Sequence, residues 1–266
     1  MKNTTINDVV AFLDATFRPE LQEDYDNAGF LLGEASTPYH GSLVAIDLTP
    51  EVIDECIALD LNLIVTHHPF IFGGLKRITD RSEAGRMTMA LIKNNISVYA
   101  AHTNLDNLPW GVNGILAEKL GMKNCRILRG VQDNSIGAGM VGELSDPMTA
   151  EAFLQKVKTI LGIPFIRTSQ SITPHSSSLI KKVAICGGAG SFLIPDAIAA
   201  HADLYLTADL KYHDFQRGED RIILADAGHY ETEQFAKEII YRSISEKFCN
   251  FACRISERQF SIVHYI

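Results

Sequence analysis

Apolar residues recur along this chain with two spacings, one typical of buried strands and one typical of amphipathic helices. Short apolar runs such as Leu43-Val44-Ala45-Ile46 predict strands, whereas helical spacing after Thr5 as a cap predicts a helix from about Ile6 to Phe17. The same spacings predict a long helix from about Glu231 to Phe248 and a last strand from Gln259 to His264. Strands and helices alternate through the chain, which predicts an α/β fold with mainly parallel sheets.

Part of this pattern occurs twice. Strands at Val44-Ala45-Ile46 and Leu63-Ile64-Val65-Thr66, separated by a helix, have counterparts at Val183-Ala184-Ile185 and Leu204-Tyr205-Leu206-Thr207. Such strands also recur by chance in α/β proteins, but the repeated order favours two similar α/β lobes that face each other across a cleft. The predicted lobes comprise residues 1–125 with 226–266, and residues 126–225.

Composition places the chain among soluble globular proteins. Of its 266 residues, 46% are hydrophobic and 21% are charged. The formal net charge of −8 gives no bulk attraction to phosphates, so a nucleic-acid partner is not expected. Asp8 and Asp14 are unlike a secretory signal, and no apolar run approaches the roughly 20 residues of a membrane span. With five cysteines and no C-x-x-C pair, the chain is predicted to be cytoplasmic and to make no membrane contact.

Histidine and carboxylate side chains follow three of the predicted strands. His67 and His68 come after one strand, Asp106 after another, and His229 and Glu233 after a third. Open α/β sheets place their sites at such strand ends, and imidazole with carboxylate is the ligand set of zinc, iron, manganese or cobalt. Five ligands exceed what one tetrahedral ion takes from protein, which favours two divalent ions per chain that share a carboxylate.

These ligand candidates also have plainer interpretations. His67 and His68 point to different sides if the chain stays extended, so they would serve two ions, or one ion and a contact behind it. A single histidine at such a place would more often be a hydrogen-bonded core residue. His229 and Glu233 share one helix face, where their spacing suits a chelating pair and a solvated pair equally. His102 could be a ligand, a buried histidine or a group that orients a ligand, and the last is favoured.

Further polar residues follow other predicted strands. Asp209, Lys211 and His213 could move protons or bind an anionic substrate, although a charged surface loop has the same composition. Gly187-Gly188-Ala189-Gly190-Ser191 joins a strand to a helix, where backbone N–H groups can bind phosphate. It lacks the pattern of a phosphate loop and is interpreted as a tight turn. Asp26-Asn27-Ala28-Gly29 is a turn signal.

Five motifs in a fixed order give a specific resemblance. They are Asp26-Asn27-Ala28-Gly29-Phe30-Leu31-Leu32-Gly33, Thr66-His67-His68-Pro69, Leu105-Asp106, Thr207-Ala208-Asp209-Leu210-Lys211-Tyr212-His213, and Asp226-Ala227-Gly228-His229 through Glu233. In this combination the chain resembles, over essentially its whole length, the family of GTP cyclohydrolase 1 type 2 homologues, also called Nif-three-like proteins.

The resemblance implies two α/β lobes, a dinuclear metal centre in the cleft, and a ring-shaped homohexamer with inward-facing sites. Some members carry a further central domain. The segment from Gly121 to Lys181 is too short to hold one, so the chain resembles the short form. The ligand positions of the family fall on His67, His68, Asp106, His229 and Glu233.

Two functions are compatible with these ligands. The first is a metal-dependent hydrolase of a small nucleotide-like or phosphorylated substrate, in which His102, Asp209 and His213 handle protons and Lys211 holds an anion. The alternative is a non-catalytic protein that binds or stores metal, or that serves as a scaffold or regulator. The ionisable residues beside the ligands favour the enzyme.

Overall fold

The computed structural model describes residues 4–131, 135–169, 179–218 and 221–263. The chain forms two compact units. The first runs up to Leu105 and resumes over Ala236–Phe260, and the second runs over Asp106–Phe235 and continues from Ser261. In the described part, no helix is long and apolar enough to cross a membrane.

The first unit is built on a five-stranded sheet. Its strands are β1 (Gly29–Leu32), β2 (Gly41–Ala45), β3 (Leu63–Thr66), β4 (Ser97–Ala100) and β11 (Ala252–Ile255). Its helices are α1 (Ile6–Phe17), α2 (Pro50–Ala58), α3 (Glu83–Lys93) and α9 (Ala236–Lys247), with a 3-10 turn at Pro19–Leu21. The strand order is β1-β4-β3-β2-β11. Only the pair of β1 with β4 is antiparallel, so the prediction of a mainly parallel sheet is confirmed here.

Helix α1 forms over the predicted residues. A capping box fixes its start, because the backbone N–H of Thr5 donates to the Asp8 carboxylate over 2.8 Å and the Thr5 side chain caps the first turn. Its apolar face is buried (Ile6, Val9, Val10, Leu13 and Phe17). Each such side chain contributes roughly 1.5–3 kcal/mol to stability through burial.

Three parallel strands of this unit end side by side, and a polar residue follows each of them. Asp47 comes after β2, His67 and His68 come after β3, and His102 comes after β4. Because β2 pairs with β3 and β3 pairs with β4 in parallel, their carboxyl ends meet at one edge of the sheet.

The second unit contains a six-stranded sheet. Its strands are β5 (Met122–Val131), β6 (Ile136–Thr149), β7 (Arg167–Thr168), β8 (Leu179–Ala189), β9 (Leu204–Ala208) and β10 (Ile223–Asp226). Its helices are α5 (Val112–Lys119), α6 (Ala150–Leu161), α7 (Ile194–Ala199) and α8 (His229–Glu233), with 3-10 turns at Ser191–Leu193 and Phe215–Gly218. The short helix α4 (Thr103–Asp106) carries the chain from the first unit into the second.

The α/β class is confirmed, but a mainly parallel sheet is wrong for the second unit. The strand order is β5-β6-β8-β9-β10-β7, and only β8 with β9 and β9 with β10 are parallel. The other pairs, β5 with β6, β6 with β8 and β10 with β7, are antiparallel. β5 and β6 follow each other closely in the chain, and a short connection can only join antiparallel neighbours.

The repeated sequence pattern corresponds to one equivalent piece of structure in each unit. β2, α2 and β3 form a parallel strand–helix–strand unit, and β8, α7 and β9 form another. The parallel strands β8, β9 and β10 again bring polar residues to one sheet edge. Gly188 lies at the end of β8, Asp209 follows β9, and His229 follows β10.

The boundaries between the units differ from the predicted ones at 125/126 and 225/226. The chain enters the second unit at Asp106, leaves it after Phe235 and returns to it at Ser261. The early entry has a packing reason, since Leu116 and Ala117 of α5 belong to the same core cluster as Met122 of β5.

Two predicted elements near the end of the chain are wrong in extent. The long helix from Glu231 to Phe248 is divided into α8 and α9, because the chain passes from one unit to the other after Phe235. The last strand lies at Ala252–Ile255, where it pairs with β2, and not at the predicted residues from 259 to 264. Gln259 instead accepts a hydrogen bond from the backbone of Ile46, and His264 lies outside the described residues.

Candidate metal centre

Two of the candidate ligands lie where the chain bends at the end of β3. The backbone N–H groups of His67 and His68 donate to Ala45 and Ile46 over 3.2 and 2.9 Å, which fixes the bend. His67 is fully buried, and His68 is partly exposed. The two ring centroids lie only 4.9 Å apart. The chain does not stay extended here, so the condition for placing the rings on different sides is not met and the two rings lie together.

His102 joins these rings from the end of β4. Its ring centroid lies 5.4 Å from that of His67 and 5.4 Å from that of His68. Two neighbouring parallel strands therefore bring three imidazoles into one cluster within the first unit, which is called the imidazole cluster below.

Oxygen atoms hold the first two rings of the imidazole cluster through Nδ1. Nδ1 of His67 lies 2.7 Å from the carbonyl oxygen of Ala101, and Nδ1 of His68 lies 2.7 Å from Oδ1 of Asp47. Because a carbonyl oxygen only accepts, neutral His67 carries its proton on Nδ1 and its lone pair on Nε2. Such partners set the tautomer and orientation of metal-ligating histidines.

Asp26 holds His102 in the same way. Oδ1 of Asp26 lies 2.7 Å from Nδ1 of His102, and Oδ2 accepts from the backbone N–H of Thr103 over 3.1 Å and from its hydroxyl. Burial alone would raise the pKa of Asp26, but the hydrogen bonds from His102 and Thr103 outweigh it and lower the pKa to about 2. The ionised carboxylate therefore keeps a proton on Nδ1 of His102.

In the second unit, His229 and Glu233 lie one turn apart on α8. Nδ1 of His229 lies 2.7 Å from Oδ2 of Asp209, which follows β9. Nε2 of the same ring lies 3.1 Å from Oε2 of Glu233. Glu233 is buried, with 3% of its surface exposed, whereas the His229 side chain is 37% exposed, so only one member of the pair is solvated.

This geometry favours a positive charge between His229 and Glu233. If Nδ1–H donates to Asp209, Nε2 of the neutral ring presents a lone pair to the Glu233 carboxylate at 3.1 Å. Two electron-rich atoms at this distance are stabilised by a shared proton or by a metal cation. Positions i and i+4 of a helix are also the spacing at which two side chains chelate one ion.

The end of β8 leaves room for the Glu233 carboxylate because residue 188 is glycine. Gly188 has a φ of +62°, and a Cβ there would lie 2.0 Å from Oε1 of Glu233 and 3.3 Å from Cε1 of His229. Its backbone N–H donates to Oγ1 of Thr232 over 3.0 Å. The glycine-rich segment is thus required by a close approach to two candidate ligands, which the tight-turn interpretation did not include.

The remaining candidate ligand, Asp106, ends α4. Its carbonyl oxygen accepts from Nδ2 of Asn113 over 3.1 Å, and Oδ1 of Asn113 accepts from the Gly187 N–H over 2.9 Å. Burial raises the pKa of the Cys186 thiol, and the negative charges of Asp106 and Glu233 raise it further. Both carboxylates therefore lie close enough to this buried thiol to act on it electrostatically.

The turn that carries Asp209 is braced from two sides. Asp209 has a left-handed backbone with a φ of 55°. The N–H of Leu210 donates to the Asp226 carboxylate over 2.9 Å. Arg167 binds that carboxylate and also the carbonyl oxygen of Leu210, the latter over 2.9 Å. Asp209, predicted to be catalytic, thus contacts a candidate ligand, His229, and orients it.

Lys211 and His213 lie further along the same turn and are exposed. The backbone N–H of Lys211 donates to Asp214 over 2.9 Å, and Nδ1 of His213 lies 3.4 Å from Oε1 of Gln216. These contacts belong to the turn itself. An anion-binding role for Lys211 and a proton-transfer role for His213 stay predictions.

Sequence reasoning missed two carboxylates that hold histidines. Asp47 follows β2 directly, and its place at a parallel strand end was a signal that could have found it. Asp26 stands in a motif that was interpreted only as a turn. It lies 76 residues from His102 in the sequence, and no local pattern connects the two.

The chemistry of these donors fits a divalent metal. Imidazole nitrogen and carboxylate oxygen are the ligands of zinc, iron, manganese and cobalt. The first unit offers imidazole nitrogens from His67 and His68, and the second offers an imidazole nitrogen from His229 beside a carboxylate oxygen from Glu233.

Comparison with known proteins identifies the family. The family model described as Duf34/NIF3 (NGG1p interacting factor 3) matches residues 4–260. The chain belongs to the DUF34/NIF3 family. This confirms the resemblance found in the sequence, because similar proteins that are 34% identical to this DUF34/NIF3 chain are named GTP cyclohydrolase 1 type 2 homologues.

Relatives and a solved structure agree with this assignment. The GTP cyclohydrolase 1 type 2 homolog of Clostridium perfringens is 34% identical over 232 residues, which are 86% of this chain and 86% of the relative. The protein NIF3 homolog of Schizosaccharomyces pombe is 32% identical over 250 residues, which are 89% of this chain and 87% of the relative. A hypothetical protein of Staphylococcus aureus has a similar structure, with a TM-score of 0.90, 28% identity and 100% of both chains covered.

Proposed function

We propose that this DUF34/NIF3 protein is a metal-dependent hydrolase that holds two divalent cations and acts on a small nucleotide-like or phosphorylated substrate. The observation that carries the proposal is the common orientation of four imidazoles. An oxygen atom holds Nδ1 in each of them, which directs the lone pair of Nε2 to another partner. These four residues are His67, His68, His102 and His229.

Five side chains would hold the cations. They are His67, His68, Asp106, His229 and Glu233. Five protein ligands suffice for two ions when one carboxylate is shared and solvent completes the shells. Glu233 would be the shared carboxylate, because it is buried and its Oε2 lies 3.1 Å from Nε2 of His229. Zinc, iron, manganese and cobalt all suit this nitrogen and oxygen set.

A pair of bound cations would supply a water that ionises near neutral pH and a positive charge for the developing anion. His102 would move protons, because ionised Asp26 holds its Nδ1–H and leaves Nε2 to take up and release a proton. Asp209 would orient His229, and Lys211 would attract an anionic group of the substrate by its charge. His213 would be a further proton carrier on the same exposed turn.

The proposal extends to assembly and location. The family resemblance supports a homohexameric ring with inward-facing sites, working in the cytoplasm on small molecules. The interior of such a ring would admit only small substrates. The net charge of −8 disfavours nucleic acid as a partner.

An activity screen tests the proposal. Protein loaded with zinc, manganese, iron or cobalt is incubated with nucleotides and phosphoesters, and product release is measured together with bound metal. His68→Ala and His229→Ala should abolish turnover, whereas His40→Ala, which removes an exposed histidine elsewhere, should not. Turnover that depends on metal and on both ligands supports the hydrolase. Full metal loading without turnover of any substrate supports the alternative of a non-catalytic metal-binding, storage or regulatory protein.

A further inference from the structure

Two exposed aromatic side chains lie next to the imidazole cluster of the first unit. Tyr25 is 65% exposed and Phe72 is 49% exposed. Their ring centroids lie 6.3 Å apart, and the ring planes are inclined by only 20°. The Phe72 ring also meets the His102 ring edge to face, with centroids 5.8 Å apart and planes inclined by 75°. A surface of two nearly parallel rings, called the aromatic surface below, therefore borders on a histidine of the candidate centre.

A hydrogen bond joins the two chain segments that carry these rings, although the segments are distant in the sequence. Nδ2 of Asn27 donates to the carbonyl oxygen of Ile71 over 2.5 Å, which ties the segment before Phe72 to the segment after Tyr25. Asp26 is fixed in turn by hydrogen bonds from the histidine and threonine described above. A surface held in this way loses little conformational entropy when a ligand binds to it.

The size of the aromatic surface favours one small planar ligand. Aromatic rings prefer offset-stacked or edge-to-face partners with centroids 4.5–7 Å apart, and a further flat ring can extend this stacked pair by lying on an exposed ring face. A specific protein interface buries about 800 Å² per partner. Two partly exposed side chains, each of about 150–250 Å², offer only a fraction of that area.

We infer that Tyr25 and Phe72 form a stacking site for a planar heteroaromatic ring of the substrate, a nucleobase or a ring of similar size. The inference rests on the proposed function, because it places that ring beside His102, the proposed proton carrier. It also selects between the two proposed substrate types. A nucleotide-like molecule would bind through its ring, and a phosphorylated molecule without a ring would lose this contact.

Ligands that differ only by the ring test the stacking site. The four ribonucleoside 5′-monophosphates and ribose 5-phosphate are titrated into metal-loaded full-length protein by calorimetry. At least one nucleotide should bind tenfold or more tightly than ribose 5-phosphate. Phe72→Ala and Tyr25→Ala should weaken that nucleotide roughly tenfold to a hundredfold and leave ribose 5-phosphate unchanged, because base–aromatic stacking has about that strength. Tyr25→Phe keeps the ring and should keep the affinity.

Controls separate this inference from its alternatives. Phe192→Ala removes a comparably exposed phenyl ring from the second unit and should change nothing. Bound metal is measured in every sample. If wild type holds no metal, the proposed function is contradicted. If wild type is fully loaded with metal and binds nucleotides and ribose 5-phosphate equally well, only the stacking site is contradicted. Loss of metal in Phe72→Ala would overturn the stacking site and make Phe72 a residue that supports His102. A changed mass of this variant in light scattering would overturn it too, and would make the aromatic surface a contact between copies of the chain.

Discussion

Nδ1 of His229 and Oδ2 of Asp209 lie 2.7 Å apart, although 20 residues separate them in the sequence. The pair repeats in the second unit the contact that Asp47 makes with His68 in the first. In both pairs the carboxylate follows one parallel strand and the histidine follows its neighbour. Adjacent parallel strands thus supply both a candidate ligand and the group that orients it.

Asp209→Ala should therefore weaken metal binding without unfolding the protein. Loss of an orienting partner typically lowers metal affinity ten- to a hundredfold, and Asp209 lies on an exposed turn, so the fold should survive. Titration with zinc against a competing chelator measures the change. Asp146→Ala, at an exposed carboxylate of the same unit, is the control. Unchanged affinity in Asp209→Ala would contradict the orienting role given to Asp209.

Gly188→Ala should displace the side chain of the candidate metal ligand Glu233, whereas Gly162→Ala should not. Both glycines have a left-handed backbone, with φ of +62° and +71°, so both substitutions cost roughly 1–2 kcal/mol in backbone strain. Only at Gly188 would the new Cβ meet the Glu233 carboxylate, at 2.0 Å, whereas nothing lies within 4 Å at Gly162. Because a carboxylate at the end of a flexible side chain can move, Gly188→Ala should fold and yet hold less metal. Equal metal content in the two variants, measured by elemental analysis, would contradict the role given to Glu233.

Strand ends could be predicted from this sequence because apolar runs and helical spacing are local signals. The positions of His67, His68 and His229 after their strands followed directly. The orienting role of Asp26 could not be predicted, since 76 residues separate it from His102 and only tertiary structure joins them. Strands β5 and β6 were not predicted at all, so their antiparallel pairing, which makes the second sheet mixed, was missed with them.

A thermal-unfolding series separates metal binding from packing. His67 is fully buried, so its removal also damages the core, whereas the His229 side chain is 37% exposed and makes a cleaner probe. Metal-free His229→Ala should melt close to metal-free wild type, within about 0.5 kcal/mol in stability. At a free metal concentration a hundredfold above Kd, wild type should gain about 2.7 kcal/mol, and the variant should gain much less. A variant that melts far below wild type without metal would make His229 a structural residue instead.

Light scattering coupled to size exclusion tests the assembly. A homohexamer of a 29.4 kDa chain has a mass near 176 kDa, six times that of the chain. Closed rings of this kind are a common outcome for soluble homo-oligomers. A mass near that of the single chain at micromolar concentration would remove the ring and its size filter, and would leave the metal centre untouched.

The metal content of the saturated protein tests the central claim most directly. Elemental analysis of wild type, after loading with zinc or manganese and removal of free ions, should find about two ions per chain. Glu233→Ala should hold fewer than wild type, because it removes the carboxylate proposed to be shared between the ions, and His40→Ala should match wild type. One ion per chain would contradict the paired centre, and no bound ion after loading with either metal would contradict the metal-dependent function as a whole.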